Sequence, residues 1–130
     1  MHTKNTYFSL LVLLISLTMC LSVARANADS HSDNEAFSAA VKAVKARNYS
    51  RALALFEQQA NNAKHDAQYN MAVLLQAGEG RPRNYLDALY WGWLAQLGGI
   101  EEAEDIANDI MDTLTEDDAK AVRARVGENL

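Results

Sequence analysis

The chain reads as all-α: a right-handed α-solenoid of stacked antiparallel helix pairs, about six helices in all. Three observations predict this. Asn48-Tyr49-Ser50-Arg51-Ala52-Leu53 returns 36 residues later as Asn84-Tyr85-Leu86-Asp87-Ala88-Leu89, and the same offset pairs Ala36 with Ala72, Arg47 with Arg83 and Ala67 with Ala103. A fixed period in this range marks a stacked helix-pair repeat, in which each unit buries its apolar face only against its neighbours. Capping residues and glycines punctuate the chain at helix-length intervals. No segment alternates with period two between turn signals, so no strand is predicted.

The chain opens with a segment outside this architecture. Lys4 supplies a positive start, an apolar run extends from Ser9 to Val23, and Ala24-Arg25-Ala26 and Ala26-Asn27-Ala28 each place small residues where a signal peptidase reads. Residues 1–26 thus have the layout of a secretory signal peptide, with cleavage after Ala26 or Ala28, and residues 27–32 read as a flexible leader. Two alternatives stay open: an uncleaved membrane anchor, or lipidation at Cys20 in Leu17-Thr18-Met19-Cys20. Cleavage implies no stable membrane insertion and removes the single cysteine, so the exported chain must hold together by apolar packing alone. It would keep 10 Lys and Arg against 17 Asp and Glu, a net charge of −7. That balance excludes nucleic acid as a partner, because phosphate binding needs clustered positive charge.

The helices follow in order. Ser32-Asp33-Asn34-Glu35 has capping-box spacing and starts the first helix, apolar through Ala36, Ala39, Ala40, Val41, Ala43 and Val44 and ended by Arg47-Asn48. Tyr49 to about Ala63 forms the second, carrying Leu53, Leu55, Phe56 and Ala60. Residues 66–77 form the third, with Asp66 as N-cap and Ala67, Met71, Leu74 and Leu75 on one face. The breaker cluster Gly78-Glu79-Gly80-Arg81-Pro82-Arg83 separates it from a fourth helix capped by Asn84, rich in aromatic residues and ended by Gly98-Gly99. The fifth carries Ala103, Ile106, Ala107, Ile110, Met111 and Leu114 at steps of three and four. Thr115 caps the last, which buries Ala119, Val122 and Val126 and is closed by Gly127.

Ala67, Tyr69, Asn70, Leu74, Gly78, Gly80, Tyr85, Ala88, Trp91, Ala95, Gly99 and Ala103 fall in an order that resembles the Sel1-like repeat, a relative of the tetratricopeptide repeat. By this resemblance residues 66–103 form one complete repeat and 36–66 a degenerate one, in which Ala63 replaces the glycine matched by Gly99. Residues 101–127 resemble a terminal helix pair, and the solenoid spans 33–130. Arg81, Asn84 and Gly92 depart from the pattern, and Cys-rich exported relatives staple each repeat with a disulfide that this chain cannot form. Packing alone explains the pattern residues: Ala52, Ala67, Ala88, Ala95 and Ala103 let helices approach, and Trp91 fills the space between layers.

The chemical constellations are sparse. His31 and His65 have no partner at ligand spacing, with His65 read as a solvated loop residue, and Ser38 and Ser50 lack an evident base. Glu102, Asp105, Asp109 and Asp112 recur on one face of the fifth helix, which is the pattern of a solvated acidic face, since a straight helix does not wrap a cation. Nine acids fall within 101–118, as a binding surface or as a polar cap on the stack. No catalytic residue, metal ligand or cofactor is expected.

The resemblance implies a periplasmic protein-binding adaptor or regulator, holding a peptide or partner protein in a groove lined by the first helix of each pair. Tyr69, Asn70 and Gln76 are the candidate groove residues. Arg81 and Arg83, flanking Pro82 on the adjoining loop, are candidate anchors for an acidic segment. The alternatives from other classes are a hydrolase acting on cell-wall components and a structural subunit of an envelope or flagellar assembly.

Overall fold

The computed structural model describes residues 32–130, and Ala36–Leu130 form one compact unit. The leader, Cys20 and His31 lie outside the described residues. Six helices are present and no strand occurs among the described residues. They are α1 (32–45), α2 (Tyr49–Ala60), α3 (His65–Ala77), α4 (Tyr85–Leu97), α5 (Glu102–Met111) and α6 (Glu116–Gly127).

Capping chemistry sets most of these boundaries. Asn48, Asn84 and Thr115 each accept a hydrogen bond from the backbone N–H three residues on, at 3.3, 3.0 and 3.2 Å. Each satisfies one amide that the first helical turn leaves without a partner. Other boundaries differ from the sequence reading. Ser32 is already helical in α1 and so is not its N-cap. Helix α2 ends at Ala60, three residues early, because Ala63 turns left-handed at φ +56° and its N–H bonds back to the Ala60 carbonyl. Lys64 takes the N-cap position of α3 without a side-chain bond, and Asp66 falls inside the first turn, where its charge suits the helix dipole. Leu114 lies past the end of α5, half-buried in the turn to α6, while Gly127 is still helical.

The period also resolves more finely. The α1–α2 connection is residues 46–48, whereas the α3–α4 connection is residues 78–84, four residues longer. The 36-residue offset therefore holds for α2 and α4 but shortens to 32 for α1 and α3. Ala40, not Ala36, stands where Ala72 does, and both are fully buried.

Helix α2 packs on α3, and α4 sits at the centre against α3, α5 and α6. Phe56, Leu53, Met71, Leu89 and Ile110 are the largest fully buried side chains. The small repeat residues Ala52, Ala67, Ala72, Ala88, Ala95 and Ala103 are all at 0% exposure, so helix backbones meet closely at each. Trp91 is buried at 8% and stacks edge-on against Tyr90, whereas Trp93 is half-buried under the Arg123 guanidinium. Among the described residues no buried side-chain polar atom lacks a partner. The two buried glutamines show how: Gln59 donates to the Leu55 carbonyl, and Gln68 donates to that of Ala60.

Candidate functional site

The long α3–α4 connection builds the first feature. Gly78 ends α3 in the left-handed region, and the chain then runs over the start of α2. Gly80 combines φ +80° with a close approach: a Cβ there would stand 2.6 Å from the Tyr49 carbonyl carbon, so only glycine fits. Ser50 fastens the contact by donating from Oγ to the Gly80 carbonyl at 3.2 Å.

This docking carries Arg81 to α2, where its guanidinium binds both carboxylate oxygens of Glu57 at 3.2 and 2.7 Å. The bidentate bond from Arg81 holds the Glu57 carboxyl below its ordinary range, and Glu57 raises Arg81 in turn. Arg81 is thus not the free loop anchor expected from sequence; it ties the loop to the first helix pair. Arg83 differs. Among the described residues its guanidinium bonds the Tyr85 phenol oxygen at 3.3 Å and lies 5.7 Å from that ring's centroid.

Beside Arg83 lies an open cleft of about 580 Å³. The α3–α4 connection and the first turn of α4 form one wall, and Leu114 and Asp118 at the α5–α6 turn form the other. Leu75, which is buried, and Leu86, which is 42% exposed, also line it. From the first turn of α4, Asp87 pairs with Arg125 of α6 at 2.6 Å, and that guanidinium stacks 3.8 Å over the Tyr90 ring, clasping α6 to α4. A surface ion pair contributes about 0–1 kcal/mol, and stacking on an aromatic face strengthens this one.

The candidate groove residues lie elsewhere. Tyr69, Asn70 and Gln76 are half-buried on α3. Tyr69, Val73 and Gln76 follow at steps of four and three, which places them on one helix face, and Val73 is 36% exposed. Tyr69 packs against the core, and the Asn70 amide donates to the Asp66 carbonyl at 2.8 Å within its own helix. The fold therefore brings Arg81 and Arg83 to one cleft, and Tyr69, Asn70 and Gln76 line neither this cleft nor the second cavity.

That second cavity, about 270 Å³, lies where α2 ends and α3 begins, lined by Tyr90, Trp91 and Leu94 of α4. His65 lies at its edge and is not the solvated loop residue expected from sequence. It is the first residue of α3, half-buried, with its ring against Gly98, where any side chain would collide with it. The Gln68 amide nitrogen donates to the Ala60 carbonyl, which turns its oxygen toward His65 Nδ1 at 2.9 Å, where that oxygen can only accept. The acids Glu102, Asp105, Asp109 and Asp112 are all exposed, opposite the buried Ile106 and Ile110. Among the described residues no cluster of His, Cys, Asp or Glu could hold a metal ion, and no helix is long and apolar enough to cross a membrane.

Sequence reasoning reached the two arginines but missed Glu57, Leu86 and Leu114. Glu57 lies 24 residues before Arg81, and no local signal links them. Comparison with models of known families, with curated proteins and with solved structures finds no match to this chain.

Proposed function

We propose that this protein is an exported adaptor or regulator, built on Sel1-like repeats and acting in the periplasm by binding a peptide or partner protein on its helical surface. One observation carries the reading. The alanines of the repeat pattern are consumed in packing at 0% exposure, while the α3 face and the cleft beside Arg83 offer half-buried and exposed apolar groups next to polar ones. A rigid stack that spends its pattern residues inward and presents an irregular outer surface is suited to recognition.

The test is affinity capture from the periplasmic fraction with tagged chain, followed by reconstitution with purified partner. A partner that binds in stoichiometric amount, and is lost on Tyr69→Ala with Val73→Glu or on Leu86→Asn, supports the reading. Turnover in an unbiased hydrolase panel with no reconstitutable partner would replace it with an enzyme. Export is checked separately by N-terminal sequencing: purified protein should start at Asn27 or Asp29, and an intact Met1 removes the signal-peptide reading.

A further inference from the structure

We propose that the cleft between the α3–α4 connection and the α5–α6 turn is a peptide subsite, whose occupant carries an apolar side chain next to a carboxylate that pairs with Arg83. This rests on the protein-binding reading and names the partner's chemistry.

The charges around the cleft select this occupant. Four charged side chains line it: Arg81, Arg83, Asp87 and Asp118. Arg81 is held in a fork by Glu57, and Asp87 is held by Arg125 at 2.6 Å and by the Asn84 amide at 2.8 Å. Asp118 accepts the Thr115 hydroxyl at 2.7 Å and sits in the first turn of α6, where the helix dipole favours its charge. Arg83 is left. Among the described residues its guanidinium meets no carboxylate; it rests on the Tyr85 ring and phenol, which hold its position without neutralising it.

Leu86 and Leu114 flank the cleft with apolar surface, and the volume, about 580 Å³, admits a large side chain with adjoining backbone. An apolar residue seated there brings a neighbouring Glu or Asp within reach of Arg83. The resulting pair is charge-assisted and can be bidentate, the geometry in which arginine recognises carboxylates. A basic neighbour would instead meet the unneutralised Arg83.

The experiment uses fluorescein-labelled octapeptides of Gly and Ser holding a central Leu-Glu pair, with Leu-Gln and Leu-Lys versions as controls. Binding to the full chain is followed by anisotropy and by amide chemical shifts. The Leu-Glu peptide should saturate, shift the amides of Tyr85, Leu86 and Leu114, and bind about tenfold more tightly than Leu-Gln. Arg83→Gln should reduce Leu-Glu to the Leu-Gln level while leaving Leu-Gln unchanged, which isolates the pairwise interaction. Arg81→Gln should change affinity less than about twofold, and Leu86→Asn should weaken every version. Equal affinity for Leu-Glu and Leu-Gln, shifts confined to other surfaces, or no saturation by any peptide would overturn the subsite. The wider reading fails differently: a captured partner lost on Tyr69→Ala but retained on Arg83→Gln and Leu86→Asn keeps the adaptor and removes this cleft, whereas the absence of any reconstitutable partner removes the adaptor.

Discussion

In α2 the side chain of Asn48 bonds the Arg51 amide; in α4, 36 residues on, Asn84 bonds that of Asp87. Ala52 and Leu53, and their counterparts Ala88 and Leu89, are all at 0% exposure. One turn later the two helices diverge. Phe56 fills the core and meets Phe37 of α1 edge-on at 5.6 Å between ring centroids, whereas its counterpart is Gly92. Leu55 is half-buried where Trp91 is buried. The difference follows from the neighbours. Helix α4 is surrounded by α3, α5 and α6, and a Cβ at Gly92 would already stand 3.8 Å from Ala72 of α3 and from Ile106 of α5, in ordinary contact, which leaves no room for a ring there; the large ring is at position 91. A repeat thus preserves the start of its helix, which is local chemistry, and lets volume move between adjacent core positions, which is a matter of neighbours.

Truncating the displaced ring is the largest test. Trp91→Ala should cost about 3–5 kcal/mol, a large share of the roughly 5–15 kcal/mol available to a domain of this size. Trp93→Ala, on the half-buried side, should cost less than half as much. Equal losses in urea melts would break the assignment of core volume to position 91.

Next is the loop that only the second pair has. Gly80→Ala combines left-handed strain with a collision against the Tyr49 peptide and should cost about 2–4 kcal/mol. A loss below about 1 kcal/mol would mean that the loop does not need its seat on α2.

The helix ends offer a reciprocal exchange. Ala63 at φ +56° and Gly99 at φ +93° occupy equivalent turns, and a Cβ at Gly99 would meet nothing within 4 Å. Only backbone strain then separates the two residues. Ala63→Gly should stabilise by about 0.5–1 kcal/mol, and Gly99→Ala should destabilise by about 1–2 kcal/mol. Changes of the same sign would show that the two turns are not equivalent.

The smallest effect is the pH dependence of the Glu57–Arg81 fork. The Glu57 carboxyl is lowered by the Arg81 hydrogen bond, so its contribution is complete above the ordinary unfolded glutamate range and fades as pH falls through the lower folded value. Being half-exposed, the pair contributes no more than about 1 kcal/mol. Arg81→Ser should remove that increment at neutral pH and leave stability at low pH unchanged relative to wild type. A constant difference between the two proteins down to pH 2 would assign the effect to packing of the arginine stem.

The helices were legible because their signals are local: Asn48, Asn84 and Thr115 announce helix starts, and α5 writes its buried face at steps of three and four. The left-handed Ala63 was hidden because alanine is among the residues least expected there. The 36-residue period concealed a four-residue insertion, since the matching hexapeptides both lie after the connection that carries it. Of the cleft, the arginines stood out as charge beside a proline. Leu86 and Leu114 did not, because what makes them a site is the approach of the α5–α6 turn to the start of α4.

The stack also sorts its charges. Residues 32–83 carry seven basic and five acidic side chains, while residues 84–130 carry three and eleven. Lys42, Lys45, Arg47 and Arg51 are exposed on α1, α2 and their connection, and the acids of α5 and the first turn of α6 are exposed or half-buried at the opposite end of the helix order. Among the described residues the negative charge is therefore gathered on the last helix pair, while the first pair is close to neutral. Near a charged surface such a distribution experiences a torque before it makes any contact, turning the last helix pair toward positive charge.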